Sequence, residues 1–134
     1  MLFKYSAAIL ALPLVAAPVA ARTPPPAGIW ANPHNTVHVT FKRCRDAICG
    51  TVVWASRTAI EDAQRGGVDQ LVGEELFRDF VEDEPGRWSG EVFIPDVGQT
   101  VSGTITQIDA RTLVGEGCMF AGFGCKTQSW KRIK

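Results

Sequence analysis

The chain has 134 residues, with 14 Lys+Arg against 14 Asp+Glu and 46% hydrophobic residues, the mixture of one small globular domain and not of a disordered chain. A net charge of zero with no long block of like charge excludes the cationic footprint that neutralising a phosphate backbone needs, so nucleic acid is not an expected partner. Four cysteines, four tryptophans and thirteen glycines in so short a chain point to a β-rich protein stapled by disulfides.

Residues 1–21 read as an export signal. Lys4 precedes an uncharged run from Tyr5 to Ala21, which ends in Val19-Ala20-Ala21, the small residues that signal peptidase accepts. The run falls short of the about twenty apolar residues of a membrane span, and Pro13 and Pro18 interrupt it as they would interrupt a buried helix. No cysteine precedes Cys44, so the residue needed for lipid anchoring is absent, and no Arg pair precedes the apolar run. The expectation is cleavage near Ala21 and a soluble periplasmic or secreted protein with no transmembrane span. Residues 22–27, with three consecutive prolines, read as an extended spacer. A single domain is expected over 28–134.

From Val37 onward the pattern is that of hairpins. Val37, Val39 and Phe41 alternate with His38, Thr40 and Lys42, as in a half-buried strand, and Gly50 to Ala55 supplies a second β-branched run. Setting Cys44 opposite Cys49 across Arg45–Ile48 pairs Phe41 with Val52 and Val39 with Trp54. Ala59 to Gly67 reads as a short helical turn ended by Gly66-Gly67, and Leu71 to Glu82 as a strand closed by the turn Asp83-Glu84-Pro85-Gly86. Around Pro95-Asp96-Val97-Gly98, Val92 pairs with Val101, Gly90 with Gly103 and Trp88 with Ile105. In the last hairpin Cys118 pairs with Cys125, Glu116 with Thr127, Gly115 with Gln128 and Leu113 with Trp130. With Gly28 to Ala31 leading in, about eight strands are joined mostly by short turns. Sequential hairpins tend to close, because closure removes unpaired edges. The expected fold is all-β: a small antiparallel up-and-down barrel with a short helical turn. A two-sheet sandwich fits the same pattern and is the alternative.

Gly28-Ile29-Trp30 and Trp130-Lys131-Arg132 resemble the lipocalin-like (calycin) arrangement, in which a first-strand Gly-X-Trp packs against a basic residue of the closing strand. The resemblance implies that Trp30 and Arg132 close the barrel, a cation over an indole face being worth about 0.5–2 kcal/mol. A longer ordered set runs through Cys44 with Ile48-Cys49-Gly50, Val53-Trp54, Leu71-Val72-Gly73, Trp88-Ser89-Gly90, Pro95 with Gly98, Gly117-Cys118 and Thr127-Gln128-Ser129-Trp130. This set resembles the exported bacterial domain of unknown function 2147. That resemblance implies a lipocalin-like barrel outside the cytoplasm and brings no activity with it. The sequence departs from the family pattern at Ser89-Gly90, Phe93-Ile94-Pro95 and Gln99 to Val101, where the family carries a Gly-Gly pair, a Tyr-Asp-Pro turn, and a Lys and Tyr.

An oxidising compartment makes disulfides the default for four cysteines, and of the three connectivities the hairpin registers favour Cys44–Cys49 and Cys118–Cys125. Neither spacing is that of a redox pair or a structural zinc site, so no metal and no cofactor are expected. His34 and His38 fall on the outward side of their strand, without a nucleophilic partner. The acidic run Glu82-Asp83-Glu84, with Asp79 nearby, has the residue types for a cation site or paired carboxylates, but it precedes a turn, where solvation is the ordinary role. No catalytic set emerges, and an enzyme is not expected.

By parity Trp30, Trp54, Trp88 and Trp130 share the apolar face of their strands. A packed interior is the plainer use of four indoles in a small barrel. Against it stand two notches without side chains, where Gly90 faces Gly103 and Gly115 faces Gln128. An apolar cavity with one aimed amide is what a small-ligand site looks like. The candidate ligand-binding residues are therefore Trp54, Trp88, Gln128 and Trp130, in a non-enzymatic, monomeric exported protein that binds a small apolar or amphipathic molecule. The alternative is a module or inhibitor that contacts an envelope protein through the Ser56 to Gln70 segment and the stapled loop Met119 to Gly124, whose Phe120 and Phe123 either project or fold back to plug the barrel mouth.

Overall fold

The protein is described by a computed structural model covering residues 2–4, 6–16, 22–118 and 124–134. Eight strands, β1 (Ile29–Ala31), β2 (Val37–Cys44), β3 (Ala47–Ala55), β4 (Glu75–Glu84), β5 (Arg87–Ile94), β6 (Gln99–Asp109), β7 (Thr112–Cys118) and β8 (Cys125–Arg132), pair in chain order and close as a barrel, β8 against β1. Every ladder is antiparallel. The sandwich alternative is thereby removed. One helix, α1 (Arg57–Arg65), lies between β3 and β4. In an up-and-down barrel alternate connections share an end: the turns after β1 and β5 gather with α1 at the mouth where β7 ends and β8 begins, and the turns after β2, β4 and β6 at the other.

Two registers match the sequence reading. Val92 lies opposite Val101, Gly90 opposite Gly103 and Trp88 opposite Ile105 in β5–β6. Cys118 faces Cys125, Gly115 faces Gln128 and Leu113 faces Trp130 in β7–β8. The β2–β3 hairpin differs. Cys44 lies opposite Ala47, Phe41 opposite Gly50 and Val39 opposite Val52, because the chain reverses in the two residues Arg45-Asp46, with Arg45 in the left-handed region at φ 59°. Such a twist matches that of the flanking strands. The Cys44–Cys49 disulfide therefore bridges the ladder diagonally, at a Cα separation of 5.9 Å. Gly50 answers a packing need: a Cβ there would lie 2.6 Å from the Phe77 ring and 2.8 Å from that of Phe41.

A bulge follows. The register shifts between His38 and Val39, which leaves Val53 as an extra residue on β3 and reverses the facing of what comes after it. Ala55 turns inward and Trp54 turns outward, 44% exposed, while Trp30 and Trp88 are buried. The expectation that Trp54 lines the interior is corrected by this single insertion.

Strand β4 begins at Glu75, later than the expected Leu71, because residues 71–74 turn back on β3: Gly73 donates to Val52 O at 2.8 Å and Glu74 to Leu71 O at 3.0 Å. Leu71 is buried all the same. Ser56 caps α1 by accepting from Ala59 N at 3.1 Å, and Gly66 ends it. Ala59, Ile60 and Ala63 form the apolar stripe of α1 against the barrel, Ala63 without exposed surface.

The deep core joins Trp30, Val39, Ile48, Val52, Phe80, Trp88, Ile105 and Leu113. Phe77 ties it together, its ring centroid 5.3 Å from Phe41, 5.8 Å from Phe80 and 5.5 Å from Trp130. Residues 22–27 have no regular secondary structure and are held against the barrel. Thr23 N donates to Glu82 Oε2 at 3.1 Å, the Thr23 hydroxyl donates to the other oxygen, and Arg43 Nη2 donates to Thr23 O at 3.2 Å. Pro26 is fully buried.

Candidate functional site

The mouth bordered by α1 opens on a cavity of about 480 Å³, inside the about 300–1,000 Å³ range of small-molecule pockets. Val37, Leu71, Leu76, Phe77, Val92 and Trp130 give it apolar walls. Asn32, also on the lining, is committed to its own turn, with Oδ1 accepting from Thr36 N at 2.7 Å and Val37 N at 2.9 Å. The end of α1 is fitted to the β5–β6 turn. A Cβ at Gly66 would collide with Pro95 O, and one at Gly98 would lie 2.6 Å from Gly66 O.

The cavity owes its volume to particular glycines. On β7 and β8 the inward positions pair Gly117 with Lys126, Gly115 with Gln128 and Leu113 with Trp130. A Cβ at Gly115 would meet nothing closer than 3.9 Å, and one at Gly117 nothing closer than 3.4 Å. Packing therefore does not demand glycine at either position, and a side chain there would occupy the cavity. The Gly90–Gly103 notch is of the other kind, since a Cβ at Gly90 would lie 2.7 Å from Arg78 O and one at Gly103 2.6 Å from Val92 Cγ2. Neighbouring atoms already fill that notch.

Of the four candidate ligand residues, Gln128 and Trp130 lie on this cavity. Trp88 does not: 1% exposed, it packs in the deep core and borders a separate groove at the opposite end. Trp54 is outside the barrel, its ring tilted by 33° against that of His38 with centroids 4.4 Å apart. His38 Nε2 is 2.6 Å from Asn35 Oδ1, and burial lowers its pKa. Trp30 is fully buried with an unpartnered indole nitrogen. It sits opposite Arg132 in the β1–β8 ladder that closes the barrel, where Arg132 Nε donates to Lys134 O at 3.2 Å. Among the described residues the guanidinium placed over a ring is that of Arg78, 4.4 Å from Phe93. Met119, Phe120 and Phe123 lie outside the described residues.

Lys126 is the site residue that sequence reasoning missed. The register that joins Cys118 to Cys125 also sets Lys126 opposite Gly117 on the inward face, so the signal was present. Of the charged lining residues, Lys126, Glu116 and Asp96, Lys126 holds an inward strand position. Glu116 shares the other face with Cys118, whose Sγ lies 3.8 Å from its Oε1, and Asp96 belongs to the β5–β6 turn.

The opposite end has a groove of about 460 Å³ bordered by Arg22, Arg43, Asp46 and the acidic run Glu82–Glu84. Two carboxylates of the acidic run have structural partners. The Thr23 hydroxyl holds the Glu82 carboxyl below its ordinary pKa, and the Ser89 hydroxyl, 2.6 Å away, does the same for Asp83. Both disulfides form, Cys44–Cys49 and Cys118–Cys125. The triads with metal-like spacing among the described residues are Cys44, Cys49 and Asp79, and Glu116, Cys118 and Cys125. In each the disulfide consumes two of the three ligands, and neither fits a metal.

Residues 28–132 match the family described as an uncharacterized protein conserved in bacteria, domain of unknown function 2147. The chain belongs to that family. A comparison with curated proteins finds no match. Among solved structures the chain is similar to a protein of the human pathogen Helicobacter pylori described as belonging to the lipocalin family, with 14% identity, 84% of this chain and 85% of that one covered, and a TM-score of 0.62. The likeness concerns the fold, and makes this member of family 2147 a lipocalin-like barrel. Phe93, Ile94, Pro95 and Val101 also line the cavity.

Proposed function

We propose that this family 2147 barrel is a non-enzymatic, exported binding protein that holds a small apolar or amphipathic molecule in the cavity beside α1. The observation that carries the reading is the pair Gly115 and Gly117, which leave open a space that side chains would otherwise fill. Gln128 and Trp130 are the ligand contacts in this reading, with Trp30 and Arg132 closing the barrel behind them. Two disulfides support an oxidising compartment, in line with residues 1–21 as a cleaved signal.

The test is displacement of the neutral fluorophore N-phenyl-1-naphthylamine by single-chain amphiphiles, in the mature protein and in Gly115→Leu. Fluorophore binding that the substitution abolishes, with Tm maintained, supports the reading. Equal binding by the variant, or no binding by the parent protein, overturns it.

A further inference from the structure

The seam that closes the barrel covers only part of β8. Its ladder with β1 stops at Lys131, opposite Ala31, and the chain then leaves for the turn into β2. Strand β8 extends further toward the mouth, as far as Cys125, paired with β7 on its other side. Backbone hydrogen bonds point to alternate sides along a strand. Arg132 N donates toward β7, to Arg111 O at 2.9 Å, and Ile133 N donates toward β1, to Ile29 O at 2.8 Å. Odd-numbered residues of β8 therefore turn their N–H and C=O away from β7. The 4.1 Å Cα separation of Cys118 and Cys125 agrees, being near the about 4.5 Å of a pair that exchanges no hydrogen bonds. For Cys125, Thr127 and Ser129 the side away from β7 is an edge with no backbone partner among the described residues. All three are exposed.

We propose that this edge is the interface with a second copy of the chain, whose own Cys125–Ser129 adds as an antiparallel strand about a two-fold axis and joins the two barrels into one sheet. A two-fold contact must complement itself, and the residues here select one register. Facing residues must share a sheet face, and both must direct their hydrogen bonds at the shared edge, so odd positions face odd ones. Gln128 on the axis would set Cys125 of the second copy opposite Lys131, the place that Ala31 already holds. Lys126 on the axis would set two ammonium groups directly opposite each other, which is destabilising. Thr127 on the axis avoids both faults. Thr127 then faces Thr127, a stabilising cross-strand hydroxyl pair, each Cys125 faces a Ser129, and about six backbone hydrogen bonds form. Each Lys126 faces Gln128 of the second copy and donates to its amide oxygen. Both residues also line the cavity, so the contact borders the cavities of both copies. A net charge of zero sets no long-range repulsion against the association.

Sedimentation of the mature protein with both disulfides intact should show a dimer that dissociates on dilution. Thr127→Cys should cross-link two copies across the axis, because hydrogen-bonded pairs stand about 5.5 Å apart at Cα, within the disulfide range. Peptide mapping should place the new bond between the two introduced thiols. Thr100→Cys, exposed on the outer face of β6, should stay uncross-linked. Thr127→Pro removes an edge N–H that β7 does not use, and should give a monomer that keeps both disulfides and the far-ultraviolet signal of the barrel. A monomer at every concentration overturns the proposal and leaves the inward Lys126 as the guard of a solvated edge. A dimer that survives Thr127→Pro, or cross-linking as fast in Thr100→Cys as in Thr127→Cys, overturns it as well. The reading of the cavity as a ligand site does not depend on any of these outcomes.

Discussion

Phe77 meets Trp130 edge-on, ring centroids 5.5 Å apart and planes at 79°, and this pair separates the packed half of the barrel from the open half. Both rings line the cavity from below while Phe77 also contacts Phe41 and Phe80 in the core. Phe77→Ala should therefore act twice. It removes a buried ring, at a cost of about 3–5 kcal/mol, and it deepens the cavity. Thermal unfolding should show the loss, and the alkyl chain length that binds best should increase. A stability loss with the same preferred chain length would show that Phe77 is not the floor.

Gly50 and Gly115 are both strand glycines with opposite reasons. A Cβ at Gly50 runs into two aromatic rings, whereas a Cβ at Gly115 meets only ordinary contacts. Gly50→Ala is expected to cost about 1–3 kcal/mol by overpacking. Gly115→Ala should stay within about 0.5 kcal/mol of the parent. Urea titration of the two variants distinguishes them.

The disulfides close short loops, with sequence separations of 5 and 7, so each should contribute about 2 kcal/mol through the unfolded state. Their positions differ. Replacing Cys44 and Cys49 with Ser should lower Tm and leave binding as it was. Replacing Cys118 and Cys125, at the mouth beside Lys126, should lower Tm and also weaken ligand binding. Calorimetry and fluorophore titration on the two double variants read the two effects separately.

Acid should release the N-terminal segment before it unfolds the barrel. Glu82 has its folded pKa depressed by the Thr23 hydroxyl, so the contact is fully present above the ordinary Glu pKa and is lost as pH falls through the lowered value. Limited proteolysis within residues 22–27, slow at neutral pH, should accelerate at low pH while the barrel keeps its far-ultraviolet signal. Glu82→Gln should show the faster cleavage already at neutral pH.

How much of this was legible depended on where the turns lie. The β5–β6 and β7–β8 registers followed from the sequence because each hairpin runs without interruption on both sides of its turn, so one facing pair fixes all the others. The β2–β3 register did not, for two physical reasons. Its turn uses Arg45 at a positive φ, where glycine or asparagine would have signalled a two-residue reversal, and the bulge at Val53 breaks the parity rule that placed Trp54 inside. Gln128 and Trp130 could be placed on the inward face because their strand is regular. Lys126, on the same strand, was passed over because a lysine reads as surface until the residue opposite it proves to be an inward glycine. The docking of residues 22–27 depends on contacts with β2 and β4, Glu82 being 59 positions from Thr23, and no local pattern announces such a contact.

Both staples join strands that are neighbours in the chain, and neither crosses the place where the sheet meets itself. There the ladder consists of Trp30 opposite Arg132 and Ala31 opposite Lys131, extended by Ile29 N donating to Lys134 O at 3.0 Å and Ile133 N to Ile29 O at 2.8 Å. Strand β1 has only three residues. If it lets go, β2 and β8 become bare edges, the template for sheet-to-sheet aggregation that a closed barrel abolishes. The colloidal stability of the whole molecule is thus vested in its shortest strand and its last few residues.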